Sequence, residues 1–196
     1  MKRLPLSLIA HWAGGRLHGE DTVVDAIGND SRAMRPGSLY LALRGERFDG
    51  HDFAASALAN GASALLVSHL LDAEAPQIVV DDVQLALARI AAAMQRGRAT
   101  RVVAITGSNG KTSVKTLVLA ILGRVGEVYA NPGNRNNEIG LPLAVIEAPD
   151  EAPFAVYEMG AGKPGDIAYL TDIAPPFASL VNNIAPAHLE RMGSLL

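Results

Sequence analysis

Cysteine is absent from this 196-residue chain. That removes a disulfide framework, a thiolate metal site and a Cys nucleophile from consideration. Long apolar runs are missing too, and none approaches the length of a membrane span. The apolar stretch at residues 6–10 is followed at once by His11 and Trp12. It is too short for a signal peptide and lacks a small-residue cleavage site, so a soluble, cytoplasmic protein is expected. There is no excess of either charge: 19% of residues are charged and the net charge is −3. This balance gives no electrostatic reason to expect nucleic acid or an anionic membrane as partner. No Ser occupies a G-x-S-x-G elbow, which leaves Ser/His/Asp hydrolysis weakly supported. Internal repeats and low-complexity tracts are also lacking.

Apolar residues, in contrast, make up 49% of the chain, enough for a sizeable core in one large or two small domains. Residues 6–13 read as a short amphipathic helix ended by Gly14-Gly15. Residues 22–27 and 38–43 read as strands, 53–60 as an Ala-rich helix stopped by Gly61, and 64–67 and 77–80 as buried strands. Asp82 is placed to cap a long helix through Leu85, Leu87, Ile90 and Met94. Arg96-Gly97-Arg98-Ala99 breaks the pattern, and the domain boundary is expected there, giving units 1–98 and 99–196. The second unit restarts with a strand at 101–105, a Gly-rich turn and a helix at 111–122. A short strand at 127–130, an Asn-rich loop at 131–137 and a helix at 139–147 follow. Strands at 154–157 and 177–181 then flank a helix containing 165–170. This alternation predicts an α/β fold with parallel sheets and right-handed crossovers. An intact doubly wound domain usually has more strands, so the chain is expected to be a fragment.

The most informative stretch is Val102-Val103-Ala104-Ile105-Thr106-Gly107-Ser108-Asn109-Gly110-Lys111-Thr112-Ser113. An apolar strand enters a tight turn and a helix leaves it. Glycines let backbone N–H groups curl around phosphate oxygens, and the helix adds the positive end of its dipole. Lys111 can reach the β- and γ-phosphates, and the Thr112 hydroxyl can ligate Mg²⁺. The full G-x-x-x-x-G-K-[ST] pattern would need Gly where Ile105 stands. The short form T-G-x-x-G-K-T remains, in the strand–loop–helix context the motif requires. Residues Gly107 to Ser113 are therefore the candidate ATP-binding set. A loop used only for sensing nucleotide stays open.

Three further features carry possible chemistry. Glu158 ends a predicted strand, where ligands sit in open parallel sheets. It could hold Mg²⁺ and neutralise phosphate charge, or be a solvated acid. His188 follows the next strand and the loop Asn182-Asn183-Ile184-Ala185-Pro186. Its imidazole could bind a second metal or a phosphate, or be structural. The loop Gly133-Asn134-Arg135-Asn136-Asn137-Glu138-Ile139-Gly140 is dense in amides. Turn chemistry explains part of it, with Asn137 placed to cap the following helix, and Asn134 and Asn136 then remain for ligand.

Residues 106–113, residues 133–140, Glu158-Met159-Gly160-Ala161 and Ala187-His188-Leu189 together resemble the Mur ligases. In the first unit, Asp30-Ser31-Arg32, residues 36–43 and residues 48–53 are similar to the family's UDP-sugar domain. The phosphate loop is shared with folylpolyglutamate synthase. The stretch Gly-Asn-x-Asn-Asn-x-Ile-Gly-x-Pro at 133–142 points to the branch that joins D-Ala-D-Ala to UDP-MurNAc-tripeptide. The resemblance implies that ATP phosphorylates the peptide carboxylate and that the dipeptide amine attacks the acyl phosphate. It implies catalytic roles for Lys111, Glu158 and His188, with Mg²⁺ held by Thr112, Glu158 and His188. It places Ser31, Arg32, Arg47, Asp49, Gly50 and His51 near the uridine end of the substrate, although Gly45, Asp49 and Gly50 also suit a purely structural turn. Asn134, Asn136 and Asn137 complete the expected substrate set. A monomer is expected. The family also carries a C-terminal Rossmann-like domain and a lysine shortly after the His. Neither has a match here, so the 196-residue chain is expected to lack ligase activity by itself and to bind nucleotide weakly. Other readings are a Mur-type ligase for a different amino acid, a folylpolyglutamate synthase-like enzyme, or a non-catalytic nucleotide-binding module.

Overall fold

The structure is a computed structural model that describes residues 1–185. Contacts divide the chain into one unit over Met1–Ile90 and a second from Ala91 onward. That division falls inside a helix, a few residues before the Gly97 break that the sequence suggests.

The first unit contains β1 (Leu4–Pro5), α1 (Leu6–Ala13), β2 (Arg16–His18), β3 (Val23–Val24), β4 (Ala26–Gly28), β5 (Ser38–Leu41), α2 (Ala54–Ala59), β6 (Ala62–Val67) and β7 (Gln77–Val79). It also contains the start of α3 (Val83–Arg96). Helix α1 stops at Gly14, whose left-handed φ of 73° lets its N–H turn back onto the last carbonyls. Asp82 caps α3 as expected, accepting from the Leu85 amide at 2.9 Å. A five-stranded sheet runs in the order β2-β7-β6-β5-β4. Its strands β4 to β7 are parallel, and β2 is added antiparallel at the edge. The central strands are covered on both faces: Leu39, Tyr40 and Leu41 on β5 and Leu65, Leu66 and Val67 on β6 are buried. Consecutive apolar residues, not alternation, are what such a strand requires.

The sequence departs from the observed elements here, most clearly in two places. The strand expected over 22–27 is broken at Asp25, whose N–H bonds to Gly37 O instead of continuing one ladder. Strand β3 pairs antiparallel with β1, whereas β4 pairs parallel with β5. The antiparallel β2 was not expected, because three residues are too few to display a period.

The second unit contains β8 (Arg101–Thr106), α4 (Lys111–Leu122), β9 (Val128–Ala130), α5 (Gly140–Glu147), β10 (Phe154–Glu158), α6 (Asp166–Ile173) and β11 (Ala178–Val181). All four strands are parallel, in the order β11-β8-β10-β9. The chain moves to one side of β8 to make β9 and β10, then to the other to make β11. A reversal of this kind opens a crevice at the carboxyl ends of the strands around β8. Helix α5 is buried along its length from Leu141 to Ile146. Each fully buried Leu, Val or Ile contributes roughly 1.5–3 kcal/mol, so α5 anchors this unit. No helix among the described residues is long and apolar enough to cross a membrane.

Candidate active site

The turn after β8 is shaped by two glycines with positive φ, Gly107 at 140° and Gly110 at 74°. Both face the segment after β11. A Cβ on Gly110 would stand 2.8 Å from Asn182 Nδ2, and one on Gly107 would stand 3.0 Å from the Asn183 backbone N. That segment braces the turn. Asn182 and Asn183 side-chain amides donate to Asn109 O at 2.7 and 2.8 Å. The Ser108 N–H donates to Asn183 O, and the Asn109 N–H to Asn183 Oδ1. The Ser108 hydroxyl donates to Ala185 O. The amides of Ser108 and Asn109 are thus committed within the protein. Donors suited to an anion include those of the first turn of α4, which has no capping side chain and whose first amides have no intrahelical acceptor. Lys111 Nζ donates to Gly107 O at 2.6 Å and so arches over the turn.

Glu158 closes β10 directly beside this turn, paired in register with Ile105. It is buried, and both carboxylate oxygens are engaged. Oε2 accepts from the Thr112 hydroxyl at 3.0 Å, and Oε1 accepts from Asn136 Nδ2 at 3.0 Å. Asn131, immediately after β9, fixes the backbone of the same residue: its Oδ1 accepts from Glu158 N–H at 2.9 Å and its Nδ2 donates to Glu158 O at 3.0 Å. Lys115 adds a buried ammonium 3.4 Å from Oε2. Asn137 does not reach the carboxylate. It caps α5, accepting from the Ile139 and Gly140 amides. Asn134 is exposed. Beneath Glu158, Tyr129 and Tyr157 meet edge to face at 6.3 Å. Burial pushes the Tyr129 hydroxyl up to about 12 and raises that of Tyr157 as well, so both stay neutral.

The Thr112 hydroxyl and the Glu158 carboxylate are hard oxygen donors side by side at the foot of the turn. Mg²⁺ usually takes one or two carboxylates together with substrate phosphates and water, and this donor pair fits that demand. No cluster of three His, Cys, Asp or Glu side chains occurs among the described residues, so an all-protein metal cage is not present among them. A cavity of about 360 Å³ opens beside the turn, lined by Lys111, Asn136, Asn137, Gly160, Lys163 and Tyr169 among others.

Residues 105–196 match the model described as Mur ligase middle domain, and residues 23–95 match that described as Mur ligase family, catalytic domain. The chain belongs to the Mur ligase family. It is 47% identical over 195 residues to the UDP-N-acetylmuramoyl-tripeptide–D-alanyl-D-alanine ligase of Escherichia coli K12, covering all of this chain and 43% of that protein. It superposes on MurF of Acinetobacter baumannii with a TM-score of 0.95 at 35% identity, over 99% of this chain and 44% of that one. MurF of Thermotoga maritima, solved in complex with ADP, matches with a TM-score of 0.78 at 36% identity, over 85% of this chain and 39% of that one. The chain therefore spans less than half the length of these Mur ligases.

In the first unit of this Mur ligase chain, the residues expected around a uridine, apart from Arg47, fall on or beside two short turns that both pack on α2. Ser31 is nearly buried. Arg32 is exposed and forks onto Asp30 at 2.8 and 2.9 Å, and this partner holds the Asp30 carboxyl down at about 2. Arg47 is exposed. Gly50 sits so close to the chain that a Cβ would lie 2.6 Å from Leu43 O. The hydroxyl of buried Tyr40 donates to Gly50 O. Asp49 accepts from the His51 amide and pairs with the His51 ring and with Arg44. His51 uses its other ring nitrogen to accept from the Ser68 amide, so its imidazole staples the loop from both sides. A second cavity of about 350 Å³ lies here, with Arg44, His51, Ser68 and Asp82 on its wall. His188 lies outside the described residues.

Sequence reasoning missed Lys115, Asn131, Asn182 and Asn183. Lys115 lies four residues after Lys111 on the same helix face, a spacing that does not by itself show burial. Asn131 directly follows a strand in a parallel sheet, the position where Glu158 was recognised.

Proposed function

We propose that this chain supplies the substrate-recognition and phosphate-binding parts of an ATP-dependent ligase that joins D-Ala-D-Ala to UDP-MurNAc-tripeptide. The single observation that carries the reading is the Glu158 carboxylate held 3.0 Å from the Thr112 hydroxyl, next to the turn that Lys111 covers. In this reading residues 1–98 bind the UDP-muramoyl peptide and residues 99–196 bind ATP.

The first-turn amides of α4 grip the nucleotide phosphates, with the helix dipole adding to the attraction. Lys111 leaves Gly107 O and follows the γ-phosphoryl group as charge shifts during transfer to the peptide carboxylate. Mg²⁺, when bound by Thr112 and Glu158 with His188 toward a second ion, supplies charge neutralisation on the phosphate oxygens. Asn136 keeps the Glu158 carboxylate turned toward the phosphates. The dipeptide amine then attacks the acyl phosphate carbon, the C–O bond to phosphate breaks, and the amine loses its proton. Ser31, Arg32, Arg47, Asp49, Gly50 and the exposed Asn134 are assigned to substrate contacts. The His51 ring, tied on both sides, is assigned to shaping the loop. We further assign the protein to the cytoplasm as a monomer.

The reading is tested at two levels. Calorimetry on this chain should detect Mg²⁺–ATP and UDP-MurNAc-tripeptide as separate ligands. In the protein at the full length of its curated relatives, phosphate release should require D-Ala-D-Ala. Release with meso-diaminopimelate, lysine or glutamate in its place would reject the dipeptide assignment.

A further inference from the structure

Lys115 is buried inside the second unit at 7% exposure. Its ammonium lies 3.4 Å from Glu158 Oε2 and donates to Asn131 O at 3.2 Å. An apolar residue of similar size would fill this place without removing a charge from water. The oxygen it faces is the one that also accepts the Thr112 hydroxyl, so Lys115 stands beside the oxygen best placed for a cation. We propose that Lys115 is a positioning residue that serves as the built-in counter-cation of Glu158. It keeps the carboxylate from repelling nucleotide phosphates before Mg²⁺ arrives. It also weakens Mg²⁺ binding, so that the ion enters and leaves with the nucleotide. This inference rests on the phosphate-loop reading above.

The experiment is ADP binding by calorimetry over a series of MgCl₂ concentrations, in the unmodified chain and in variants. Lys115→Gln keeps a donor for Asn131 O and removes the charge, whereas Lys115→Arg keeps the charge. In Lys115→Gln, binding without Mg²⁺ should weaken, and the ratio of ADP affinities with and without Mg²⁺ should rise about tenfold. Lys115→Arg should hold that ratio within about threefold of the unmodified chain. An unchanged ratio in folded Lys115→Gln would make the lysine a packing residue and overturn the proposal. Should that variant fail to melt cooperatively, Lys115→Met, which fills the volume with apolar atoms, is read by the same ratio. Absence of ADP binding at saturating MgCl₂ by the unmodified protein at the full length of its curated relatives would sink the phosphate-loop reading as well, which separates the two failures.

Discussion

Arg98 ties α5 to Asp150 through all three guanidinium nitrogens, and its removal has a calculable cost. Its side chain is 3% exposed, and Nε donates to Asp150 Oδ1 at 2.7 Å. Nη1 donates to Val145 O, and Nη2 donates to Ala148 O at 2.8 Å and Ile146 O at 3.5 Å. These carbonyls lie at the end of α5, where helical N–H partners run out; Val145 O also accepts from the Ala148 N–H at 3.3 Å. The guanidinium therefore caps the helix from outside it, with a charge that suits the negative end of the dipole. In Arg98→Ala the Ile146 and Ala148 carbonyls lose the guanidinium in a buried place and Val145 O keeps only the Ala148 N–H, whereas Asp150, 27% exposed, can regain water. Breaking a buried charge pair costs about 3–5 kcal/mol, and rehydration of Asp150 favours the lower end, about 3. Hydrogen–deuterium exchange by mass spectrometry reads this locally. Amides of α5 and β8 should exchange about a hundredfold faster, with α1 of the first unit as reference. Arg98→Lys keeps the charge but loses the fork, and about half the effect should remain. A change below about fivefold in α5 for Arg98→Ala would refute the claim that this side chain holds the helix.

Three further outcomes follow from the geometry. Asn136→Ala removes the donor to Glu158 Oε1 and should weaken the Mg²⁺-dependent part of ADP binding by about 10–100-fold, as read by calorimetry, while the thermal midpoint moves little. Gly110→Ala forces a Cβ into left-handed backbone and toward Asn182 Nδ2, which should cost about 1–2 kcal/mol in urea unfolding and loosen ADP as well. Asp49 is held down at about 2, chiefly by the His51 amide and then by the His51 ring. A folded value below the unfolded one means its stabilisation is complete above about pH 4 and is lost as the pH falls toward 2. Trp12 fluorescence followed between pH 5 and 2 should therefore show a shallower loss of the first unit in Asp49→Asn.

The sequence foretold most where a local pattern and a packing demand coincide. Helix α4 runs from Lys111 to Leu122, the limits expected from the Gly-rich turn and the apolar spacing after it. The Asp82 and Asn137 caps appear where Asx residues precede apolar runs, because the side-chain oxygen reaches orphan amides two or three residues on. What escaped were features decided by partners far along the chain. Strand β2 is a strand because β7 offers it an edge, and the break at Asp25 exists because Gly37 O captures its N–H. Neither partner is visible in a local window.

The candidate site divides in the same way. Thr112, Lys111 and Glu158 announce themselves by motif and by position at strand ends, and the structure brings all three together. The hold on Glu158 is non-local: Asn131 lies 27 residues before it, and Lys115 lies 16 residues before Asn131. A lysine on an amphipathic helix ordinarily reads as solvent-facing. Only the register of β9, β10 and β8 turns that helix face inward onto a carboxylate. The same reasoning revises the amide-rich loop. Of its three candidate asparagines, Asn137 engages the head of α5 through Oδ1 and Asn136 engages Glu158 through Nδ2, so replacing either disturbs the fold as well as any substrate contact. Asn134, whose side chain is exposed, is the one whose replacement by Ala should change substrate affinity while leaving the Mg²⁺ dependence of ADP binding where it was.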